Sequence, residues 1–207
     1  MIGEGILLAA LDHPSVSEVL MVNRRPSLLK HSKLSELIVK DFTDLAGYKE
    51  QLTGYDVCFY CAGISSLGMS EDKYSYITFY TTITFARELV SLNPNMVLFY
   101  LSGVYADSTE NGKIMWARIK GKTENALNIL HFQAAYSFRP GFIMPLRAQK
   151  NVRLIYKGLR LIYPYVFPSK TLTYYEIITA LFRTLTCGYK KSILEIADLK
   201  LLAGHID

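Results

Sequence analysis

The sequence predicts one α/β domain whose sheet is mostly parallel, doubly wound and covered by helices on both faces. Short apolar runs alternate along the chain with longer segments in which apolar residues recur at helical spacing. The short runs lack a polar residue at every second position, which is typical of strands buried on both faces of a parallel sheet. With 207 residues, 50% of them hydrophobic, the chain is long enough to form a substantial core.

Each predicted element ends at residues that interrupt regular structure. Asp12-His13-Pro14 stops the first helix, Asn93-Pro94 stops a long central helix, and Arg139-Pro140-Gly141 follows a strand. The predicted strands are residues 19–22, 37–39, 56–62, 96–101 and 134–138. The predicted helices are residues 2–11, 73–92, about 116–130, 153–163 and 174–186. No internal repeat is visible, so we treat residues 1–207 as one domain.

Charge and cysteine content narrow the classes of function. The net charge is +5, and the 23 Lys and Arg residues are scattered along the chain. This argues against nucleic acid as a partner and leaves two interpretations, a small anionic ligand or an ordinary solvated surface. The three cysteines do not make a disulfide framework and fit a reducing cytoplasm.

No targeting or membrane-spanning segment is predicted. The amino terminus lacks a basic stretch, and its apolar run is too short for a signal peptide. Residues 154–167 are apolar, but Lys157 and Arg160 interrupt them, so they fall short of a membrane span. We interpret this stretch as a helix that covers the core, with a helix lying on a membrane surface as the alternative.

Cys58 and Cys61 form a CxxC pair, but it lies within an apolar run that is predicted to be a strand. Residues three apart on a strand point to opposite faces, so the two sulfurs could not bind one metal ion there. We therefore predict no metal site.

The residues that follow the predicted strands are polar, small or turn-forming. They are Asn23-Arg24-Arg25, Asp41-Phe42, Ala62-Gly63, Ser102-Gly103 and Arg139-Pro140-Gly141. In parallel α/β sheets, ligands bind outside the carboxyl ends of the strands, where the strand order reverses. We therefore expect the chemistry of this protein to lie along that edge.

Together with Lys120-Gly121 in the following helix, these strand ends resemble the short-chain dehydrogenase/reductase superfamily. The resemblance covers almost the whole chain, and it is greatest to the atypical and extended branches, which include NAD(P)-binding epimerase- and dehydratase-like proteins. It implies a Rossmann-like fold in which residues 146–207 form a smaller carboxyl-terminal part on the substrate side.

The sequence departs from this family at its start. Members begin with a buried strand and a glycine-rich turn of the form TGATGxxG, whereas Met1-Ile2-Gly3 matches only the end of that turn. Gly3 takes the place of the last glycine, which lets the first helix pack closely on the sheet. We expect a truncated gene model or a late start codon. The alternative, a naturally shortened domain, would leave two strand edges unpaired inside the core.

The resemblance places the adenosine ribose beside Arg24 and Arg25. An Arg at that place pairs with a 2′-phosphate, whereas a carboxylate accepts hydrogen bonds from a 2′-hydroxyl. Two arginines without an acid favour NADP over NAD, unless they simply form an exposed turn.

The adenine would lie against Asp41 and Phe42 by the same resemblance, although Asp41 could equally be an acidic start of a loop. Gly3, Ala62 and Gly63 complete the implied cofactor-binding residues.

The resemblance also implies a catalytic group made of a Ser, a Tyr and a Lys. Ser102 and Lys120 match the first and the last, and Trp116 stands where the Tyr would be. Because an indole only donates and does not titrate near neutrality, general acid–base catalysis is lost at that position. Tyr105, on the turn after Ser102, is a candidate replacement or an ordinary surface residue. Trp116 either stacks on a substrate ring or caps the core.

Two functions from different classes follow. The first is an NAD(P)-binding oxidoreductase or epimerase/dehydratase-like protein that acts on a small molecule with an unusual proton donor. Ser102 and Lys120 favour it. The second is a nucleotide-binding regulatory or scaffold protein that has kept the fold without the reaction. Trp116 and the missing glycine turn favour that one.

Overall fold

The structure is a computed structural model that describes residues 2–144, 166–167 and 170–204. Its helices are α1 (Ile2–Leu11), α2 (Glu71–Ser75), α3 (Thr81–Leu92), α4 (Met115–Asn128), α5 (Tyr174–Cys187) and α6 (Ile196–Ala203). Its strands are β1 (Val19–Asn23), β2 (Leu34–Ile38), β3 (Val57–Tyr60), β4 (Val97–Leu101), β5 (Ala134–Phe138), β6 (Phe142–Met144), β7 (Thr171–Thr173) and β8 (Ile193–Leu194).

Every strand pairing in the described residues is parallel. The strands form three groups: β1 with β2, the series β3-β4-β5-β8, and β6 with β7. Such pairing needs crossover connections, and helices α2 to α5 lie between strands that are paired or neighbouring. The predicted parallel α/β fold is confirmed.

Alternate strand residues pack into two hydrophobic cores on opposite faces of the sheet. The first core joins the strands to α1, α5 and α6, and it contains Phe59, Phe99 and Tyr136 in a row across three strands, with ring centroids 5.4 and 5.5 Å apart. The second core joins the strands to α3 and α4 through Tyr60, Leu98 and other residues. Helices therefore cover both faces, as the sequence predicts.

Several predicted boundaries differ from the structure. Strand β2 begins at Leu34, earlier than predicted, and the apolar pattern misses this because Ser35 and Glu36 are exposed. The long central helix starts at Glu71 and contains a π-helical turn, Tyr76–Tyr80, between α2 and α3. Strand β5 has the predicted bounds. The predicted helix 153–163 lies outside the described residues.

The carboxyl-terminal part contains elements that the sequence does not predict. Strands β6, β7 and β8 have only two or three residues each, too few to show a periodicity. Helix α5 agrees with its prediction and begins with a capping box, in which Thr173 and Glu176 each accept a hydrogen bond from the other's backbone N–H. No helix in the described ranges is long and apolar enough to cross a membrane.

Gly121 allows the loop after β4 to pack directly on α4. A Cβ built on this buried glycine would lie 1.8 Å from the backbone oxygen of Asp107. The same loop is also held by a hydrogen bond from the Asp107 N–H to the Ala117 carbonyl, at 2.9 Å. This contact fixes the loop that begins at Ser102.

We expect the substitution Gly121→Ala to lower the free energy of unfolding by about 3 kcal/mol, because the added methyl group overlaps backbone atoms that cannot move aside. Chemical denaturation measures the change. Gly47→Ala is the matched control, since Gly47 is exposed and a Cβ there meets nothing within 4 Å. Equal stabilities of the two variants would contradict the close approach.

Candidate functional site

The amino end of α1 lies against the carboxyl end of β3. A Cβ built on Gly3 would be 3.0 Å from the Cβ of Cys61, so only a glycine leaves comfortable space there. Ala62 and Gly63, which follow Cys61, are exposed. The structure thus brings three of the predicted cofactor-binding residues to one place, at the first turn of a ten-residue helix, where backbone N–H groups point away from the helix.

Arg24 and Arg25 follow β1 and are both exposed, with no hydrogen bond or ion pair recorded for them in the described part of the chain. A carboxylate lies close to this turn, although none follows β1 in the sequence. Glu36 on the adjacent strand β2 accepts hydrogen bonds from the Asn23 side chain (3.1 Å) and the Ser27 N–H (2.9 Å). Sequence reasoning missed Glu36 because it lies in the neighbouring strand.

Asp41 and Phe42 follow β2 and have different surroundings. The exposed Asp41 carboxylate accepts hydrogen bonds from the Thr43 N–H (2.8 Å) and hydroxyl (2.7 Å), and these bonds lower the pKa of Asp41. Phe42 is half-buried against Phe85, with ring centroids 5.5 Å apart. Both bonds from Thr43 go to Oδ1 of Asp41, so a ligand would bond mainly to Oδ2. Phe42 offers a ligand only an apolar surface.

Ser102, Gly103, Trp116 and Lys120 come together at the end of β4. A Cβ on Gly103 would lie 3.5 Å from the Trp116 ring and 3.6 Å from Cδ of Lys120. The Ser102 hydroxyl is buried and has no hydrogen-bond partner in the described residues. A buried hydroxyl without a partner is costly, and it is a feature of sites where a ligand supplies the missing bond.

The ammonium group of Lys120 is held in a mostly apolar environment. Its Nζ donates to the Leu101 carbonyl at 3.2 Å and lies 5.2 Å from the centre of the Tyr100 ring. Burial lowers the pKa of Lys120 to about 8, and the nearby Glu124 carboxylate opposes part of that shift. Lys120 therefore changes its charge closer to neutral pH than an exposed lysine does.

Tyr105 is the predicted residue that the structure does not bring to this group. It lies on the turn closed by the hydrogen bond from the Ala106 N–H to the Gly103 carbonyl, and its side chain is 71% exposed. No described contact joins it to Ser102 or Lys120.

An ion pair between Arg139 and Glu124 connects the end of β5 to α4, the helix that carries Lys120. Sequence reasoning missed this ion pair. Arg139 follows β5, is buried, and donates two hydrogen bonds to the buried Glu124 of α4. It also donates to the Ser108 hydroxyl (2.8 Å) and to Glu195 (2.9 Å). The sequence did contain a signal for this ion pair. Glu124 is a charged residue on the same face of α4 as Ala117, Gly121 and Leu127, which are buried, and a buried charge needs a partner.

Cys58 and Cys61 lie in opposite cores, as the strand geometry predicts. Each retains some exposed surface, but enough protein surrounds each sulfur to raise both pKa values to about 12. Both thiols therefore stay protonated. Among the described residues there is no cluster of three or more His, Cys, Asp or Glu side chains that could hold a metal ion.

The fold is shared with solved structures of enzymes, among them proteins solved in complex with NAD or NADP. The enzyme WbmG of Bordetella bronchiseptica, in complex with NAD, has a TM-score of 0.68 at 11% identity over 99% of this chain and 76% of its own. A short chain dehydrogenase from Burkholderia cenocepacia in complex with NADP gives 0.66 at 12% identity, over 98% of this chain and 87% of its own. UDP-N-acetylglucosamine 4-epimerase from Bacillus cereus gives 0.62 at 13%, over 94% and 74%.

No protein-family model and no curated protein sequence matches this chain. The structural similarities alone show that the fold is of the type found in a short chain dehydrogenase and in a UDP-N-acetylglucosamine 4-epimerase. Identities this low establish the fold, and the activity has to be argued from the site.

We expect Lys120→Met to stabilise the protein at pH 7, on the order of 3 kcal/mol, because the native state must bury an ammonium group whose pKa falls from 10.5 to about 8. Below pH 8, Lys120 is charged in both the folded and the unfolded state, so burial of the charge lowers the free energy of unfolding by its full amount. Between pH 8 and 10.5 only the unfolded chain binds the proton, and this destabilisation decreases as the pH rises.

Denaturant unfolding of parent and variant at pH 7 and pH 10 tests this expectation. The gain from Lys120→Met should be smaller at pH 10. The exposed Lys122, which lies over the Phe79 ring, provides the control variant Lys122→Met. A gain for Lys120→Met that does not change with pH would mean that burial of the charge is not its source.

Proposed function

We propose that this chain is an NAD(P)-binding oxidoreductase or an epimerase- or dehydratase-like protein that acts on a small molecule. The observation that carries the proposal is the buried, unpartnered Ser102 hydroxyl at the carboxyl end of a central parallel strand. The next residue, Gly103, lies against Lys120. Ligands of such sheets bind at that edge. The similarity in fold to proteins solved with NAD and NADP supports the same conclusion.

The residues present fit a nicotinamide dinucleotide. The amino end of α1 and the exposed backbone at Ala62 and Gly63 offer N–H groups and a positive helix dipole to a pyrophosphate. Lys120 supplies a donor for ribose hydroxyls, and Phe42 supplies an apolar wall for the adenine. When bound, the nicotinamide ring supplies hydride transfer.

The side chains around the ring would divide the remaining work. Ser102 can donate to or accept from a substrate oxygen, and this bond would satisfy its buried hydroxyl. Trp116 shapes the pocket and cannot exchange a proton. Lys120 is a titratable group at the same strand end, and Tyr105 could contribute only if its exposed side chain turns inward when a ligand binds.

The choice between NADP and NAD rests on three charges. Arg24 and Arg25 are exposed and available to a 2′-phosphate, which favours NADP. Glu36 lies at the same turn and would repel that phosphate, or accept from the 2′-hydroxyl of NAD. We propose NADP because two positive charges outweigh one carboxylate that is already bonded to Asn23 and Ser27.

We expect the full chain to bind NADPH more tightly than NADH in isothermal titration calorimetry. The double variant Arg24→Ala/Arg25→Ala should lose most of that preference, because it removes the charge-assisted bonds to the phosphate. The variant Glu36→Gln removes a negative charge at the same turn. It should strengthen NADPH binding, because the carboxylate no longer repels the 2′-phosphate. Equal affinities for NADPH and NADH in the parent would contradict the assignment of NADP.

We also propose that the protein acts in the reducing cytoplasm and that its substrate is a small molecule. The three cysteines are free, in keeping with a reducing compartment.

One observation favours a second candidate function, a nucleotide-binding regulatory or scaffold protein. Trp116 lies beside Gly103 and Lys120, where a proton donor would be needed.

The variants Lys120→Ala and Trp116→Tyr separate the two candidates. Lys120→Ala should weaken NADPH binding in calorimetry under either candidate, since both retain the cofactor. Trp116→Tyr should leave binding nearly unchanged. For an oxidoreductase, it should also raise the rate of NADPH oxidation with a panel of aldehydes and quinones, within the roughly 10²–10⁴-fold that a placed acid contributes.

If Lys120→Ala binds NADPH as well as the parent does, Lys120 does not contact the cofactor and this arrangement of the site is wrong. No oxidation by either the parent or Trp116→Tyr, with binding intact, would count against an oxidoreductase for these substrates and favour a protein without net redox turnover, either epimerase-like or regulatory.

A further inference from the structure

Lys120 carries an amine that is shielded from water and lacks a carboxylate partner. Its Nζ donates one hydrogen bond, to the Leu101 carbonyl at 3.2 Å. Its aliphatic stem packs against Gly103, where an added Cβ would lie 3.6 Å from Cδ and 4.0 Å from Cε of Lys120. In the described residues no carboxylate forms an ion pair with Lys120. Such surroundings favour the neutral amine over the ammonium ion.

The groups that face Lys120 do not fix its charge. They are Glu124 on the same helix, Cys61 after β3 and Tyr100 on β4. The Glu124 carboxylate is bonded to the buried Arg139. Burial raises the pKa of the Cys61 thiol to about 12 and also raises the pKa of Tyr100, so both stay protonated near neutral pH. Lys120 can therefore lose its proton without breaking an ion pair.

The amine is shielded, but a ligand can still reach it. Lys120 is half-buried rather than fully buried. Its bond to Leu101, the last residue of β4, places it at the sheet edge where ligands of parallel α/β folds bind. A neutral amine can donate an N–H to Leu101 and keep its lone pair free for another atom.

The same strand end favours a ligand that carries a carbonyl group. The Ser102 hydroxyl, which follows Leu101, is buried and has no hydrogen-bond partner in the part of the chain that the structure describes. A buried hydroxyl left in this state costs about 1–3 kcal/mol. A carbonyl oxygen that entered here would accept its hydrogen bond, and the carbonyl carbon is the atom that amines attack.

We propose that Lys120 binds small aldehydes or ketones covalently, as an imine formed by its side-chain amine. Nothing in the proposed cofactor chemistry requires such a bond, and the inference does not rest on that proposal. Shielded lysines without a paired carboxylate are suited to this reaction because only the neutral amine is a nucleophile.

The reaction needs no oxidant or reductant. The amine nitrogen forms a bond to the carbonyl carbon, and the carbonyl oxygen takes up both amine protons and leaves as water. A carbon–nitrogen double bond remains, and water reverses the reaction. The bound compound is therefore released unchanged unless the imine is reduced.

Reductive trapping on the full chain tests the proposal. The probe is propanal with cyanoborohydride at pH 7.5, and peptide mass spectrometry locates the propylated lysines. With a pKa of about 8, roughly a quarter of Lys120 side chains are neutral at this pH, against about one in a thousand for an ordinary lysine.

Lys120 should therefore react about tenfold or more faster than the exposed Lys73 and Lys122. The ratio should fall at pH 10, where exposed lysines also become neutral. If Lys120 reacts no faster than these two at pH 7.5, the proposal is wrong.

A second arm separates this inference from the proposed function. The first experiment contains no NADPH, so its failure counts against the imine alone. With NADPH bound to saturation, trapping at Lys120 should slow if the lysine contacts the ribose. Trapping that bound NADPH does not slow would support imine formation and count against Lys120 at the cofactor.

The variants Trp116→Glu and Trp116→Gln test the cause of the reactivity. Position 116 lies one helical turn before Lys120, so a glutamate there can pair with the ammonium ion, whereas a glutamine of the same size cannot. Trapping at Lys120 should be about tenfold slower in Trp116→Glu than in Trp116→Gln. Equal rates in the two folded variants would overturn the proposal. The comparison with Lys73 and Lys122 in the parent chain needs neither variant.

Discussion

The buried ion pair between Arg139 and Glu124 is the interaction on which the arrangement of the candidate site depends. Through one guanidinium group, the end of β5, the middle of α4, the loop at Ser108 and the start of α6 are held together. Removing one partner of such a pair costs several kcal/mol, because the other charge stays buried without compensation. Lys120, one turn before Glu124, owes its place against Leu101 to the same anchoring of α4.

The surroundings of Lys120 bear on what chemistry is available. Beside Gly103 the chain places the Trp116 indole and the Lys120 amine, with the buried Ser102 hydroxyl one residue earlier, and Trp116 stands where the resemblance expects a tyrosine. A lysine whose pKa lies near 8 can itself be neutral in a measurable fraction of molecules at mildly alkaline pH. The candidate site therefore retains one of the two titratable groups that the resemblance implies, the lysine, and lacks the tyrosine.

Much of the fold could be predicted from the sequence because buried parallel strands and amphipathic helices carry strong patterns. Strand β5 and helix α1 have the predicted bounds, and Gly103 at the end of β4 lies against Lys120. The rest depends on tertiary contacts. Glu36 reaches the turn after β1 from a neighbouring strand, and the short strands β6 to β8 exist only because longer elements position them. The roles of the residues around Lys120 remain predictions.

The opposed placement of Cys58 and Cys61 gives the molecule two internal chemical reporters. One thiol belongs to the core shared with α3 and α4, and the other to the core shared with α1 and α5. Because both are protonated at neutral pH, each would react with an alkylating reagent only when its own side of the sheet loosens. Cys187 is exposed on α5 and supplies an internal rate standard. Labelling rates would thus show whether the two layers of this domain open together or one at a time.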